Sequence, residues 1–314
     1  MGNNHSSRSM KSKSRKYKQH LSVETEQCQE SRNLEFHLPK NDQDIDRMQL
    51  QHFLFEHIWQ SNYSSPIEHK LKSGDFKVLD AGCGPGTWLL EMSTLHPSVK
   101  FFGVDIVTVF PSEIKPTNLD FQKCDINQGL PFKDDYFDFV RMSLIATSLK
   151  EDQWNDVVRE LVRVLKPNGY LEIVEKDLKA YNQGPYFKFL TDKLLGFIES
   201  TGVNVHITEQ IPTILSSIPS LTEIQSDVRD IPVGQLGGKF GTIYEELLEM
   251  YIKNNFIDIL PDYIGINADQ YLDLWKYCQL EFTKFETNYK LFRFWAQKIV
   301  DNEEQVNEEV DNEI

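Results

Sequence analysis

Three carboxylates stand where chemistry could gather. Asp80, Asp105 and Asp125 each close a short apolar run, and the first leads into a turn with glycine at 82, 84 and 86. A turn between a strand's carboxyl end and a helix's amino end can present free backbone N–H groups, and glycine lets a ligand come close. A dinucleotide fits this turn poorly. The GxGxxG pattern needs glycines at 82, 84 and 87, and Thr87 holds the third place. Pro85 removes an N–H where a pyrophosphate needs one, and no GxxxxGK[ST] phosphate loop is present. A cationic ligand without phosphates fits better. Asp80 would repel a pyrophosphate and attract an ammonium or sulfonium. Asp105 can accept two hydrogen bonds from a ribose diol. Asp125 can accept from an adenine amino group, with Ile126 as an apolar neighbour for the ring. One nucleoside with a positive centre satisfies all three acids.

These residues need elements to hold them. From residue 76 the sequence alternates short apolar runs with helical stripes, the signature of parallel strands joined by crossover helices. The runs predict strands at 77–80, 101–106, 119–124, 137–142 and 170–174. The best-marked helix precedes the last of these, with Trp154, Val157, Val158, Leu161, Val162 and Leu165 on one face. Pro167, Asn168 and Gly169 are expected to stop it through a left-handed turn. Beyond Glu175 the spacing predicts a helix at 186–200 and a strand at 223–233. Two amphipathic helices follow, through Ile243, Leu247, Tyr251 and Ile252 and through Tyr271, Leu272, Trp275, Cys278 and Phe282, before a final strand at 289–297. A further helix at 45–59 precedes the sheet. The expected division is a disordered basic tail (1–33), a helical extension (34–65), the main domain (66–298, with a helical insert at 235–287) and an acidic disordered tail (299–314).

Composition excludes other classes. The chain has 314 residues, 40% of them hydrophobic, and carries a net charge of -15. It contains no run of the ~20 apolar residues that cross a bilayer and no apolar centre of a secretory signal, so a cytoplasmic location is expected. Cys28, Cys83, Cys124 and Cys278 form no CxxC pair and have no histidine at metal spacing. They are expected to be reduced thiols, with neither disulfide nor metal site. The acidic body between the tails argues against a nucleic-acid substrate.

Taken together, the blocks "VLDAGCGPG" (78–86), "FFGVDI" (101–106), "CDINQGLPFKDDYFDFV" (124–140) and "ELVRVLKPNGYLEIVE" (160–175) resemble a class I S-adenosylmethionine-dependent methyltransferase. The resemblance implies a Rossmann-like α/β fold: a seven-stranded open sheet, mostly parallel with the last strand antiparallel, and the helical insert between the last two strands. It implies S-adenosylmethionine as cofactor, with Asp80, Gly82, Cys83, Gly84, Asp105, Ile106, Asp125 and Ile126 around it. Arg141 and Met142 after the fourth strand are wall candidates. The extension and insert are similar to those of fungal members of broad substrate range.

The acceptor is narrowed by absences. After the fourth strand stands "RMSLIATS" and not the [DN]PP[YF] of amino-methylating DNA enzymes. The paired glutamates of arginine-modifying members and the Asp/Asn set of the magnesium-dependent catechol type are missing as well. A small organic or lipid-like acceptor is expected, and the aromatic residues Phe53, Phe55, Trp59, Tyr244, Tyr251, Trp275 and Phe282 are expected to face the sheet as core. No general base is identified, although Glu175, Asp177, Tyr181 and His206 stand after the fifth strand. Two alternatives stay open: a methyltransferase-like binding or regulatory protein without turnover, and a hydride-transferring oxidoreductase.

The amino terminus fits MGxxx[ST], with Gly2 and Ser6 in place and six basic residues within the first twenty. A myristoyl chain on Gly2 plus a polybasic patch would give peripheral membrane contact. A soluble basic tail and a nuclear import signal are the competing uses of the same residues.

Overall fold

Strands buried on both faces are read as continuous apolar runs, and the runs noted above do become the parallel part of one sheet. The computed structural model describes residues 38–39 and 41–299, and every element below lies in the unit that begins at Pro39. The basic tail with Gly2 and residues 300–314 lie outside the described residues. The strands are β1 (Lys77–Ala81), β2 (Lys100–Asp105), β3 (Leu119–Lys123), β4 (Phe137–Ser143), β5 (Leu165–Lys176), β6 (Gln225–Pro232) and β7 (Asn288–Gln297). Their order is β3-β2-β1-β4-β5-β7-β6. β1 to β5 are mutually parallel, and β7 runs antiparallel to both β5 and β6. The order reverses between β1 and β4, so the carboxyl ends of those two strands border the crevice where such sheets bind ligands.

Alternation along each strand divides the core into two layers. On one face Val78, Phe101 and Phe139 pack with Trp88, Leu89 and Ile67. On the other Leu79, Val140 and Ile173 pack with Trp154, Leu161 and Ile211.

Helices α1 (Asp42–Trp59) and α2 (Glu68–Ser73) precede β1. The Asn41 side chain caps α1 by accepting from the Asp44 N–H at 3.0 Å. Behind α1 the chain is tied to the sheet by a buried carboxylate. Glu172 of β5 accepts from the N–H groups of Ser64 and Ser65 and from the Ser65 hydroxyl, with Arg293 of β7 3.7 Å away. Arg293 in turn donates to the Ser61 carbonyl. α3 (Thr87–Leu95) follows the glycine turn, and α4 (Trp154–Val164) buries the predicted stripe.

Four details differ from the sequence reading. α4 ends at Val164 and Leu165 already belongs to β5, and within the expected stop Asn168 is the left-handed residue (φ 64°). Gly169 is needed for space, since a Cβ there would stand 2.9 Å from the Asp138 carbonyl. After α5 (Pro185–Ser200) comes the unpredicted α6 (Ile207–Ser216), which contains Pro212. The insert holds three helices instead of two: α7 (Gly238–Phe256), α8 (Leu260–Ile264) and α9 (Ala268–Glu281). Among the aromatic residues expected in the core, Phe53 is instead exposed. No described helix is long and apolar enough to cross a membrane, and Cys83, Cys124 and Cys278 are free thiols.

Candidate functional site

The site begins with a turn that only glycine can make. Gly82, Gly84 and Gly86 have φ of 73°, 53° and 73°, in the left-handed region closed to most side chains. The turn spends its N–H groups internally. Those of Gly82 and Cys83 donate to the Val104 carbonyl, that of Gly84 to Asp105 and that of Gly86 to the Cys83 carbonyl. Pro85 has none. Residues 82–86 therefore keep no N–H of their own for a ligand, and the free donors at this turn are those at the start of α3.

Asp105 ends β2 and joins the turn to its own strand. Its Oδ2 accepts from the Gly84 N–H at 2.8 Å and its Oδ1 from the Val107 N–H at 2.9 Å. Burial pushes this carboxyl above its ordinary range, and the N–H donors pull it back. Each oxygen keeps a lone pair for a second donor such as a diol, and the group remains partly exposed. Ile106, beside it, is exposed and apolar. Asp125 is half-buried and accepts from the Asn127 N–H at 3.0 Å, capping the short turn Ile126–Gln128.

Four expectations change in the structure. Asp80 is not a bare acid waiting for a cation. It is opposite Arg141 in the β1–β4 register, and Arg141 Nη1 donates to Asp80 Oδ1 at 2.9 Å. Burial raises the Asp80 carboxyl and the guanidinium counters it. Arg141 is accordingly more than a wall: it is buried, with its guanidinium 4.7 Å over the Trp88 ring. Met142 follows Arg141 on the strand, so it points to the opposite face and is sealed in the core. Ile126 also packs inward, into the same core layer, which leaves Ile106 as the open apolar neighbour. Cys83 stays a plain thiol, because burial among Asp80 and Asp105 holds its pKa well above the ordinary value.

Sequence reading missed the cover of the site. α1 lies over the turn: a Cβ on Gly84 would stand 2.8 Å from Met48 Cε. From the other side Ile145, in the loop leaving β4, comes as near to Gly82. α1 is fastened to α3 where His52 Nε2 meets Glu91 Oε2 at 2.8 Å, and Asn62 Nδ2 donates to the other Glu91 oxygen at 3.0 Å. Thr87 was read only as a missing glycine. Its Oγ1, at the first residue of α3, is buried without a hydrogen-bond partner. An orphaned hydroxyl beside three left-handed glycines and a partly open Asp105 suits a nucleoside with a polar tail.

Of the titratable residues expected after the fifth strand, Glu175 and Asp177 are tied into the scaffold and His206 is exposed. Glu175 is buried and accepts from the Ile145 N–H at 2.6 Å, which holds the β4 exit loop, and burial raises its pKa to about 8. Asp177 accepts from the hydroxyls of Tyr181 and Thr208. His206 is exposed, 3.9 Å from Glu209.

Comparison with known proteins agrees with this geometry. Residues 78–169 match the family model described as a methyltransferase domain. The chain is 31% identical over 150 residues to the "Secondary metabolism regulator laeA" of Coprinopsis cinerea, covering 47% of this chain and 37% of that protein. It is 23% identical over 269 residues to the "N-methyltransferase verN" of Clonostachys rogersoniana (83% of this chain, 92% of that protein). It is 27% identical over 281 residues to the "N-methyltransferase gliN" of Aspergillus fumigatus (82% and 94%). The first match thus spans little more than a third of its relative, and the other two span nearly the whole.

Proposed function

The chain belongs to the class I S-adenosylmethionine-dependent methyltransferases, and from that premise we propose that it methylates a nitrogen of a small organic acceptor. The observation that carries the cofactor half is Asp105, held by two backbone N–H groups with one lone pair per oxygen to spare. Nitrogen as the acceptor atom rests on the names of the two relatives matched over most of their length.

S-adenosylmethionine, when bound, supplies an activated methyl group on a sulfonium. The chain's own part is to bind, orient and exclude water. Asp105 would hold the ribose diol and Asp125 the adenine amino group, with Ile106 against the ring. The glycine turn and Thr87 would hold the polar tail. The Asp80–Arg141 pair would fix the turn's approach to β4 while leaving the local charge balanced. Met48 and Ile145 would keep water from the turn. Glu175 would act as a positioning residue, since it holds the loop that carries Ile145.

Isothermal titration with S-adenosylmethionine and S-adenosylhomocysteine tests the reading, followed by methyl transfer from labelled cofactor into small-molecule fractions of cell extract. Binding of neither compound sinks the enzyme reading. Binding without transfer to any fraction favours the regulatory alternative, which the match to a named regulator keeps in view. We further propose that Gly2 is myristoylated and brings the enzyme to anionic membranes with its basic tail. The intact mass of protein made in a eukaryotic host checks this, and an unmodified Gly2 would end it.

A further inference from the structure

We propose that His52, Glu56 and Glu91 form a divalent-cation site that fastens α1 onto α3. His52 and Glu56 are four residues apart on α1, so they share one face of the helix, and Glu91 faces them from α3. One ligating atom from each lies within 4.8 Å of the other two. A single ion about 2.1 Å from each donor holds them no more than ~4.2 Å apart, so small side-chain adjustments would bring the three onto one ion. Two carboxylates grouped with a ring nitrogen form a negative cluster that a divalent cation would satisfy.

A second, separate feature points to the same spot. The Asn62 amide donates to Glu91 through Nδ2, while its Oδ1 is buried and has no hydrogen-bond partner. Buried amide oxygens are normally paired. Turning the amide over would bring this oxygen toward the carboxylates as a fourth donor, favourable only if a cation lies between them. Arg141, the nearby positive group that acts on His52, is already matched by Asp80. One nitrogen with two or three oxygens suits Zn²⁺ or Mn²⁺ better than Mg²⁺, which prefers oxygen and water.

The site's position gives it a consequence. Met48, one turn before His52, covers Gly84, and α3 starts directly at the glycine turn. A cation here would hold the cover down on the cofactor turn and slow cofactor release. This consequence, unlike the cation binding itself, rests on the methyltransferase reading.

The test uses the full chain without an affinity tag, stripped with a chelator. Zn²⁺, Mn²⁺ and Mg²⁺ are titrated by calorimetry, and bound metal is counted by mass spectrometry after gel filtration. One Zn²⁺ or Mn²⁺ per chain is expected, weakened at least tenfold in Glu91→Gln and in Glu56→Gln. Circular dichroism would show both variants folded, and His52→Asn serves as the second probe should either fail to fold. Dissociation of S-adenosylhomocysteine is expected to slow severalfold with the cation in the wild type and not in Glu56→Gln. No stoichiometric cation, or a cation kept by all three variants, overturns the site. A bound cation that leaves S-adenosylhomocysteine dissociation unchanged overturns the coupling. If S-adenosylhomocysteine does not bind at all, the methyltransferase reading fails, and the cation count still decides the site.

Discussion

Asp105 and Glu281 bond in the same way and serve different ends. Each carboxylate accepts from two backbone N–H groups, Asp105 from Gly84 and Val107, Glu281 from Tyr186 and Phe187 at the start of α5. Glu281 is buried under that helix, and a Cβ on Gly184 would collide with it, so nothing further can reach its oxygens. Asp105 stands at the crevice with part of its surface open. Identical hydrogen bonds therefore close one acid into the scaffold and leave the other able to accept from a ligand. The same contrast divides the sheet. The parallel half leaves Thr87 Oγ1 unpartnered and Ile106 exposed, whereas the half around β5 and β7 turns its acids inward, Glu172 onto serine donors and Arg293, and Asp177 onto a tyrosine hydroxyl.

The strongest way to break the parallel half is Gly86→Val. A side chain there must adopt φ near 73°, and its Cβ would overlap the Phe121 ring. Left-handed strain of about 1–2 kcal/mol and overpacking of about 1–3 kcal/mol act together. A melting temperature lowered by several degrees or more, with no measurable S-adenosylhomocysteine binding, is expected from differential scanning fluorimetry and calorimetry. Normal binding would mean that the turn is not the cradle.

A matched pair of substitutions then sharpens the contrast. Glu281→Ala leaves two helix N–H groups without an acceptor, at about 1–3 kcal/mol each. It should lower the melting temperature while the remaining folded protein binds S-adenosylhomocysteine normally. Asp105→Ala should do the reverse in proportion, weakening S-adenosylhomocysteine about a hundredfold, or ~2.7 kcal/mol, with a smaller loss of stability. Equal effects of the two on binding would erase the distinction between the acids.

The next expectation concerns pH and two neighbours at the end of β5, the buried Glu175 and the half-buried Lys176. Glu175 titrates at about 8 in the folded chain, above its ordinary 4.5, so the fold favours its proton. Its contribution to stability is complete below 4.5 and is lost as pH rises through 8. Lys176 is pushed down to about 8 from 10.5, so its contribution is complete above 10.5 and is lost as pH falls through 8. Melting temperature against pH should therefore dip near 8. Glu175→Gln should flatten the acid side of the dip and Lys176→Met the alkaline side. A monotonic profile in the wild type would show that one of the two groups is solvated.

How much of this was readable in advance follows from distance along the chain. The glycine turn and Asp105 were legible because their chemistry is local: a positive φ and a strand-end acid are written in adjacent residues. The Asp80–Arg141 pair was not, since it depends on which residues face each other across β1 and β4. Met142 was misplaced because a position after a strand says nothing about which face it takes. α6 escaped because Pro212 reads as a breaker, yet burial of Ile207, Ile211, Ile214 and Leu215 outweighs the lost hydrogen bond. The cover formed by Met48 and the His52–Glu91 contact joins residues about forty positions apart, and helical periodicity marks a buried face without naming what it meets.

The smallest expected effect is at Asp125, and it is the one that tests the ligand's orientation. Its side chain already caps the turn Ile126–Gln128, so Asp125→Ala costs about 1 kcal/mol of local stability whatever else the residue does. A weaker ligand alone would therefore prove nothing. The discriminating comparison pairs this variant with S-inosylhomocysteine, in which the adenine amino group is replaced by a carbonyl. If Asp125 accepts from the amino group, the wild type should prefer S-adenosylhomocysteine by about 1–2 kcal/mol, roughly five- to thirtyfold. Asp125→Ala should bind both compounds nearly equally, while Asp125→Asn should keep the cap and lose part of the preference. If the preference survives in Asp125→Ala, the amino group is recognised by another residue and Asp125 is a turn cap alone, closer in kind to Glu281 than to Asp105.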